Sequence, residues 1–223
     1  MKYPVLVLSI IFFSKMTVAA YDIKEYFPLE GSWTYRVIKD NESVEEKVES
    51  HTNEVIEDTK TLKFIYSENN YKYWFIDAEG VKQAKELDED GFVVYKPPRL
   101  VFPAIETGTT KNFLTSYDSY KNDNSLIEKS FVIKCNIRLD SSEDVETPAG
   151  KFPNCLKFVS NSRVEKKNGY EYDYCSAWLA LNTGIVKEVC VSSDDFEDEG
   201  VEISTETRVL ISATIEGKKI GGR

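Results

Sequence analysis

Histidine is nearly absent from this chain, and several reactive patterns are missing altogether. The one histidine, His51, stands in a polar run with no recognisable nucleophile or orienting group beside it, so general-base chemistry there lacks its partners. An exposed, uninvolved side chain is the expectation. There is no C-x-x-C pair, no H-E-x-x-H, no glycine-flanked nucleophile and no phosphate-cradling glycine loop. Two acidic clusters, Asp88-Glu89-Asp90 and 194–199, miss the calcium-loop pattern because their twelfth positions are Arg99 and Thr205. They read as solvated loops. No metal, cofactor or catalytic residue is expected.

Basic residues are also in short supply. Without Lys2 and Lys15 the count is 26 basic against 38 acidic side chains, a net charge of −12. Such a surface repels phosphate backbones, so no nucleic-acid partner is expected. One long apolar run exists, Val5 to Ser14, followed by the small residues Val18-Ala19-Ala20. This predicts a secretory signal peptide over 1–20, too short in its apolar part to span a bilayer. No cysteine follows it, so no lipid attachment is expected. The expected location is periplasmic or secreted, with no transmembrane segment after cleavage.

What the chain does hold in quantity is aromatic residues: three Trp, 13 Tyr and 12 Phe. They fall on alternating strands. Trp33, Tyr35 and Val37 alternate with Ser32, Thr34 and Arg36, the period-two signature of a strand with one buried face. Val44–Ile56 reads as a charged edge strand. Turns are predicted at Asn41-Glu42, Asn69-Asn70, Thr147-Pro148-Ala149-Gly150 and Asn168-Gly169. No segment carries a 3.6-residue period, so helix content should be low.

One pattern occurs twice. Trp74 precedes Gly80 by six residues, as Trp178 precedes Gly184, each in a hairpin whose glycine takes a positive φ. Together with the Gly31 and Gly108 starts, this suggests an internal repeat. A first β unit is expected over 21–96, a Pro-rich seam over 97–107, a second unit over 108–216 and a flexible tail over 217–223. Pro97, Pro98 and Pro103 cannot donate to a ladder, which makes the seam an edge or a connector.

All four cysteines lie in the second half. A two-residue loop at Asn182-Thr183 pairs Leu181 with Gly184 and sets Cys175 opposite Cys190, at a hydrogen-bonded ladder position. By elimination Cys135 then pairs with Cys155.

Pro28-Leu29-x-Gly31-x-Trp33-x-Tyr35, Thr147-Pro148-Ala149-Gly150-x-Phe152-x-x-Cys155 and Gly184-Ile185-Val186-Lys187-Glu188 resemble a family of exported bacterial proteins of unassigned function. Most of its members are lipoproteins or periplasmic, and some are labelled TapB-like. The resemblance implies an antiparallel β architecture and a Gram-negative envelope setting, and it brings no catalytic residues. The chain departs from it in lacking a lipid-anchor cysteine and in carrying Cys175 and Cys190.

These readings converge on an all-β exported protein, its antiparallel sheet curved into a barrel or half-barrel. A transmembrane barrel is set aside because strands such as Val44–Ile56 lack an outward apolar band. The expected role is non-enzymatic: holding a small apolar ligand or a protein segment against a concave face lined by Tyr71, Tyr73, Trp74, Phe75 and Trp178. The alternative is a structural or adhesive envelope protein acting through protein contacts.

Overall fold

The computed structural model describes residues 21–222 except 41–42, 57–58, 68–69, 167–168 and 197–199. The leader at 1–20, the turn at Asn41-Glu42, Asn69, Asn168 and the end of the second acidic cluster lie outside the described residues.

Strands run through almost the whole described chain. They are β1 (Gly31–Lys39), β2 (Ser43–Ile56), β3 (Thr59–Ser67), β4 (Asn70–Asp77), β5 (Gly80–Leu87), β6 (Gly91–Pro103), β7 (Thr110–Lys121), β8 (Leu126–Thr147), β9 (Gly150–Lys166), β10 (Gly169–Ala180), β11 (Gly184–Phe196), β12 (Gly200–Ile215) and β13 (Lys218–Gly221). Each pairs antiparallel with the next, and β1 also pairs with β12. Twelve strands thus form an antiparallel sheet nearly closed into a barrel. Val44–Ile56 is an edge only in part: β2 is laddered to β1 over 43–51 and to β3 over 50–56, so the strand lies within the ring while each half keeps one open side.

One seam remains unsealed. β6 pairs with β7 over 91–96 only, through Gly91↔Lys121 to Lys96↔Ser116. Beyond that point 97–98 fall in neither ladder, 99–103 is laddered to β5 alone, and 110–115 to β8 alone. Pro97, Pro98 and Pro103 have no amide hydrogen to offer a second neighbour, so the two strands part where the prolines begin.

The hairpins take their expected glycines. Gly80 has φ +134° after the two-residue loop Ala78-Glu79, and Gly184 has φ +90°. The second turn differs from expectation. Ala180 pairs with Gly184 around the three-residue loop 181–183, and a bulge at Trp178/Leu179 restores the register that sets Cys175 opposite Cys190. Their Cα atoms are 4.2 Å apart, the spacing of a non-hydrogen-bonded pair, and they form a disulfide.

Two expectations are corrected in this half of the chain. Cys135 and Cys155 are separate buried thiols. Cys135 pairs with Ser162 and Cys155 with Glu143, so seven residues of β9, about 23 Å of extended chain, lie between their positions. No bridge can close that distance. The tail expected at 217–223 is a strand over Lys218–Gly221. Glu216 and Gly217, with φ +49° and +77°, turn the chain into β13, which pairs with Ser212–Ile215.

Ahead of β1, a short 3₁₀ turn, Ile23–Tyr26, is capped by the Asp22 carboxylate accepting from the Lys24 amide. It buries Ile23, Tyr26 and Phe27 in the same cluster as Trp74, Phe102 and Phe158. Its backbone is tied to the β10–β11 turn by the Asn182 amide donating to Glu25, and the Tyr21 hydroxyl donates to the Pro103 carbonyl. Residues 21–27 thus stop one end of the barrel. Among the described residues no helix is long and apolar enough to cross a membrane; this leaves the barrel itself undecided.

Candidate functional site

Eight strands close on an interior that side chains fill, and sixteen leave a water channel. Twelve fall between, so part of this interior stays hollow. A cavity of about 780 Å3 opens inside the sheet, walled by inward residues of β2, β4, β5, β6 and β8 to β12. Its floor is aromatic. Trp74 lies 4.4 Å from Phe64, 6.1 Å from Phe27 and 6.0 Å from Phe102 between ring centres, and Phe102 lies 5.4 Å from Phe158. Tilted and edge-on contacts of this kind suit aromatic quadrupoles.

The rest of the wall is polar, which the aromatic reading did not foresee. Arg208 donates to Glu188 at 2.8 Å and also to Glu49. Lys72 meets Glu86 at 3.2 Å, and Gln83 Nε2 donates to the same carboxylate at 2.8 Å. The Asp173 carboxylate accepts from the Ser162 and Ser192 hydroxyls at 2.9 and 2.8 Å. Arg99 lines the cavity beside Tyr95 and the Cys135 thiol.

Burial sets the electrostatics. It raises Glu49, whose attraction to Arg208 only partly offsets the lost water. Burial also pushes Glu86 upward, but the Lys72 ammonium and the hydrogen bonds from Lys72 and Gln83 prevail, and its carboxyl sits below the ordinary value. Burial, then the nearby Glu86 charge, pushes the Tyr95 hydroxyl up to about 12. Among the described residues no cluster of histidine, cysteine and carboxylates is arranged to hold a metal.

Of the five aromatics expected to line a ligand face, the structure brings one to the cavity. Trp74 is 4 % exposed and faces inward with Lys72. Tyr71, Tyr73 and Phe75 alternate with them and point to the other face of β4, where Lys63 stands 4.2 Å from the Tyr71 ring centre and Lys82 6.0 Å from that of Phe75. Trp178 sits on the face of β10 opposite the cavity-lining Ala177. Its indole N–H donates to Glu143 at 2.6 Å, with Lys157 and Lys187 over its ring. Trp74 and Trp178 therefore occupy unlike surroundings and do not mark equivalent places in a repeat. His51 stands on β2, paired with Gly31 of β1 and Phe64 of β3.

The wall residues Lys72, Glu86, Arg99, Asp173 and Arg208 were not singled out from the sequence. A signal was present: in Tyr71-Lys72-Tyr73-Trp74 the charged residue shares the parity of the core tryptophan. On a strand buried on one face that places a charge inside.

A second hollow, of about 920 Å3, lies at the stopped end between residues 24–29 and β13. Its lining holds no comparable charge network among the described residues.

No family model matches this chain, and no curated protein does. Among solved structures, a protein from Parabacteroides distasonis ATCC 8503, provisionally described as a lipoprotein, is similar at 13% identity and a TM-score of 0.37. The match covers 84% of this chain and 97% of that one, and at that score the likeness carries no argument.

Proposed function

We propose that this chain is an exported, non-enzymatic binding protein that holds a small ligand with an apolar part inside its barrel. The observation that carries this reading is the hollow of about 780 Å3 with an aromatic floor and a polar wall, within the range of small-molecule pockets. Export is supported by the leader-like 1–20 segment and by the Cys175–Cys190 bridge, since such bridges persist in oxidising compartments. The motif resemblance to exported bacterial proteins points the same way. Native mass spectrometry of the protein purified from its source tests the reading: a retained small molecule, or uptake of the neutral dye Nile red, is expected. An empty protein that also ignores the dye would sink it.

A second reading, an envelope protein acting through protein contacts, is favoured by the outward faces of β10 and β12. Tyr172 and Tyr174 expose 38% and 50% of their surface there, and Val201 and Ile203 expose 62% and 65%. Cross-linking in envelope extract should then trap a partner on this face; solitude there removes the reading.

A further inference from the structure

We propose that Arg99, together with the Trp74 indole N–H, recognises an anionic head group, a carboxylate or phosphate monoester, on an amphipathic ligand in the barrel. The inference rests on the carrier reading above and names the ligand class for it.

Trp74 pairs laterally with Gln83, and Gln83 with Arg99, so the three stand side by side on β4, β5 and β6. All three line the cavity. The outer two are separated by two strand spacings, about 10 Å at the backbone. That span suits a head group reached from both sides by side chains.

Both ends of the row present donors without sufficient acceptors. The Trp74 Nε1 is buried and has no hydrogen-bond partner, and an indole nitrogen can only donate. The Arg99 guanidinium has five N–H donors, and the groups beside it are the Tyr95 hydroxyl and the Cys135 thiol. Among the described residues no carboxylate lies within 4.0 Å of Arg99. The neighbouring cavity cations are different: Lys72 is paired with Glu86, and Arg208 with Glu49 and Glu188. Glu86 and Asp173 act on Arg99 only from a distance, Glu86 being held by Lys72 and Gln83 and the two oxygens of Asp173 accepting from Ser162 and Ser192.

A desolvated cation without a contacting counter-ion is costly, and a planar guanidinium relieves that cost best against two oxygens of one anion. The unmet groups are donors, so the complementary ligand end must accept. Phe102 and Phe158, which line the same cavity, offer the apolar tail its place. Arg99 also belongs to the part of β6 that borders the unsealed seam.

Isothermal titration of the processed protein, stripped of retained lipid, with decanoate, decyl phosphate and 1-decanol tests this directly. At least one anion should bind about tenfold or more tighter than the alcohol, the margin expected when buried donors lose their acceptor. Arg99→Gln should abolish that margin, and Arg99→Lys should keep part of it, charge without the planar fork. Should Arg99→Gln fail to fold, the wild-type indole N–H resonance of Trp74, assigned through Trp74→Phe, should shift with the anion and stay put with the alcohol. Equal affinities for anion and alcohol in the wild type would overturn anion recognition and leave the carrier reading standing. Refusal of all three ligands would overturn both.

Discussion

Glu86 sits on the cavity wall under opposing influences: burial raises its pKa, and Lys72 with Gln83 lowers it further than burial lifts it. A carboxyl lowered on folding contributes stability above its ordinary value of 4.5, and that contribution is lost as pH falls through the folded value. The unfolding midpoint should therefore drop on acidification below about 4.5, and Glu86→Gln should flatten this limb. Identical acid limbs in thermal scans of the two proteins would remove Glu86 from the account. Glu49 works in the opposite sense, because a raised carboxyl contributes most in acid and loses that contribution as pH rises from the unfolded to the folded value. The cysteines are tested by counting. Burial pushes the Cys155 thiol up to about 11 and raises Cys135 as well, so neither should react in the native protein at neutral pH. In urea without reductant the two free thiols should titrate. None would mean a second bridge, and four would mean that Cys175 and Cys190 are open.

At the scale of elements, two hairpin glycines make a controlled pair. Gly80 and Gly150 have nearly the same φ, +134° and +137°. A Cβ at Gly80 would collide with the Phe102 carbonyl and the Pro103 Cα, whereas one at Gly150 meets nothing within 4 Å. Gly→Ala imposes the same backbone strain at both, and the collision is added at Gly80 alone. Gly80→Ala should cost at least about 1 kcal/mol more than Gly150→Ala by urea unfolding. Equal costs would show that β5 and β6 do not approach as closely as described. The β10–β11 hairpin carries a related lesson: its bulge corrects for a three-residue turn and so delivers the cysteine pairing that a simpler turn would also give. Opening that bridge with Cys175→Ala and Cys190→Ala should lower the unfolding free energy by about 3 kcal/mol, the chain-entropy value for a loop of this size.

For the molecule as a whole, the seam is the place where the barrel differs from a sealed one. Amides of 110–115 that face β6 have no ladder partner, while those facing β8 do. Native-state hydrogen exchange should find an alternation of fast and slow amides along this part of β7, and uniform protection along 169–179 of β10, which is laddered on both sides. Slow exchange at every amide of 110–115 would mean that the seam closes in solution. The seam and the stopped end together define the vessel: residues 21–27 block one end, and Arg99 stands beside the opening between β6 and β7.

How much of this could be read from residues follows from the range of each cause. Alternation in Trp33-Thr34-Tyr35-Arg36-Val37, the turn chemistry around Gly80, Gly150 and Gly184, and the prolines at 97–103 act over a few residues, so strands, hairpins and the Cys175–Cys190 pair were accessible from the sequence alone. Ring closure was not, because the β1–β12 ladder joins residues near the two ends of the described chain, and no local pattern encodes it. The same distance hid the separation of Cys135 from Cys155, the capture of Lys218–Gly221 as β13, and the cavity wall. Alternation assigns a residue to one of two faces, but only the closed ring decides which face is the inside. That is why Tyr71, Tyr73 and Phe75 turned outward, and why Lys72, Glu86 and Arg99 came to surround the hollow.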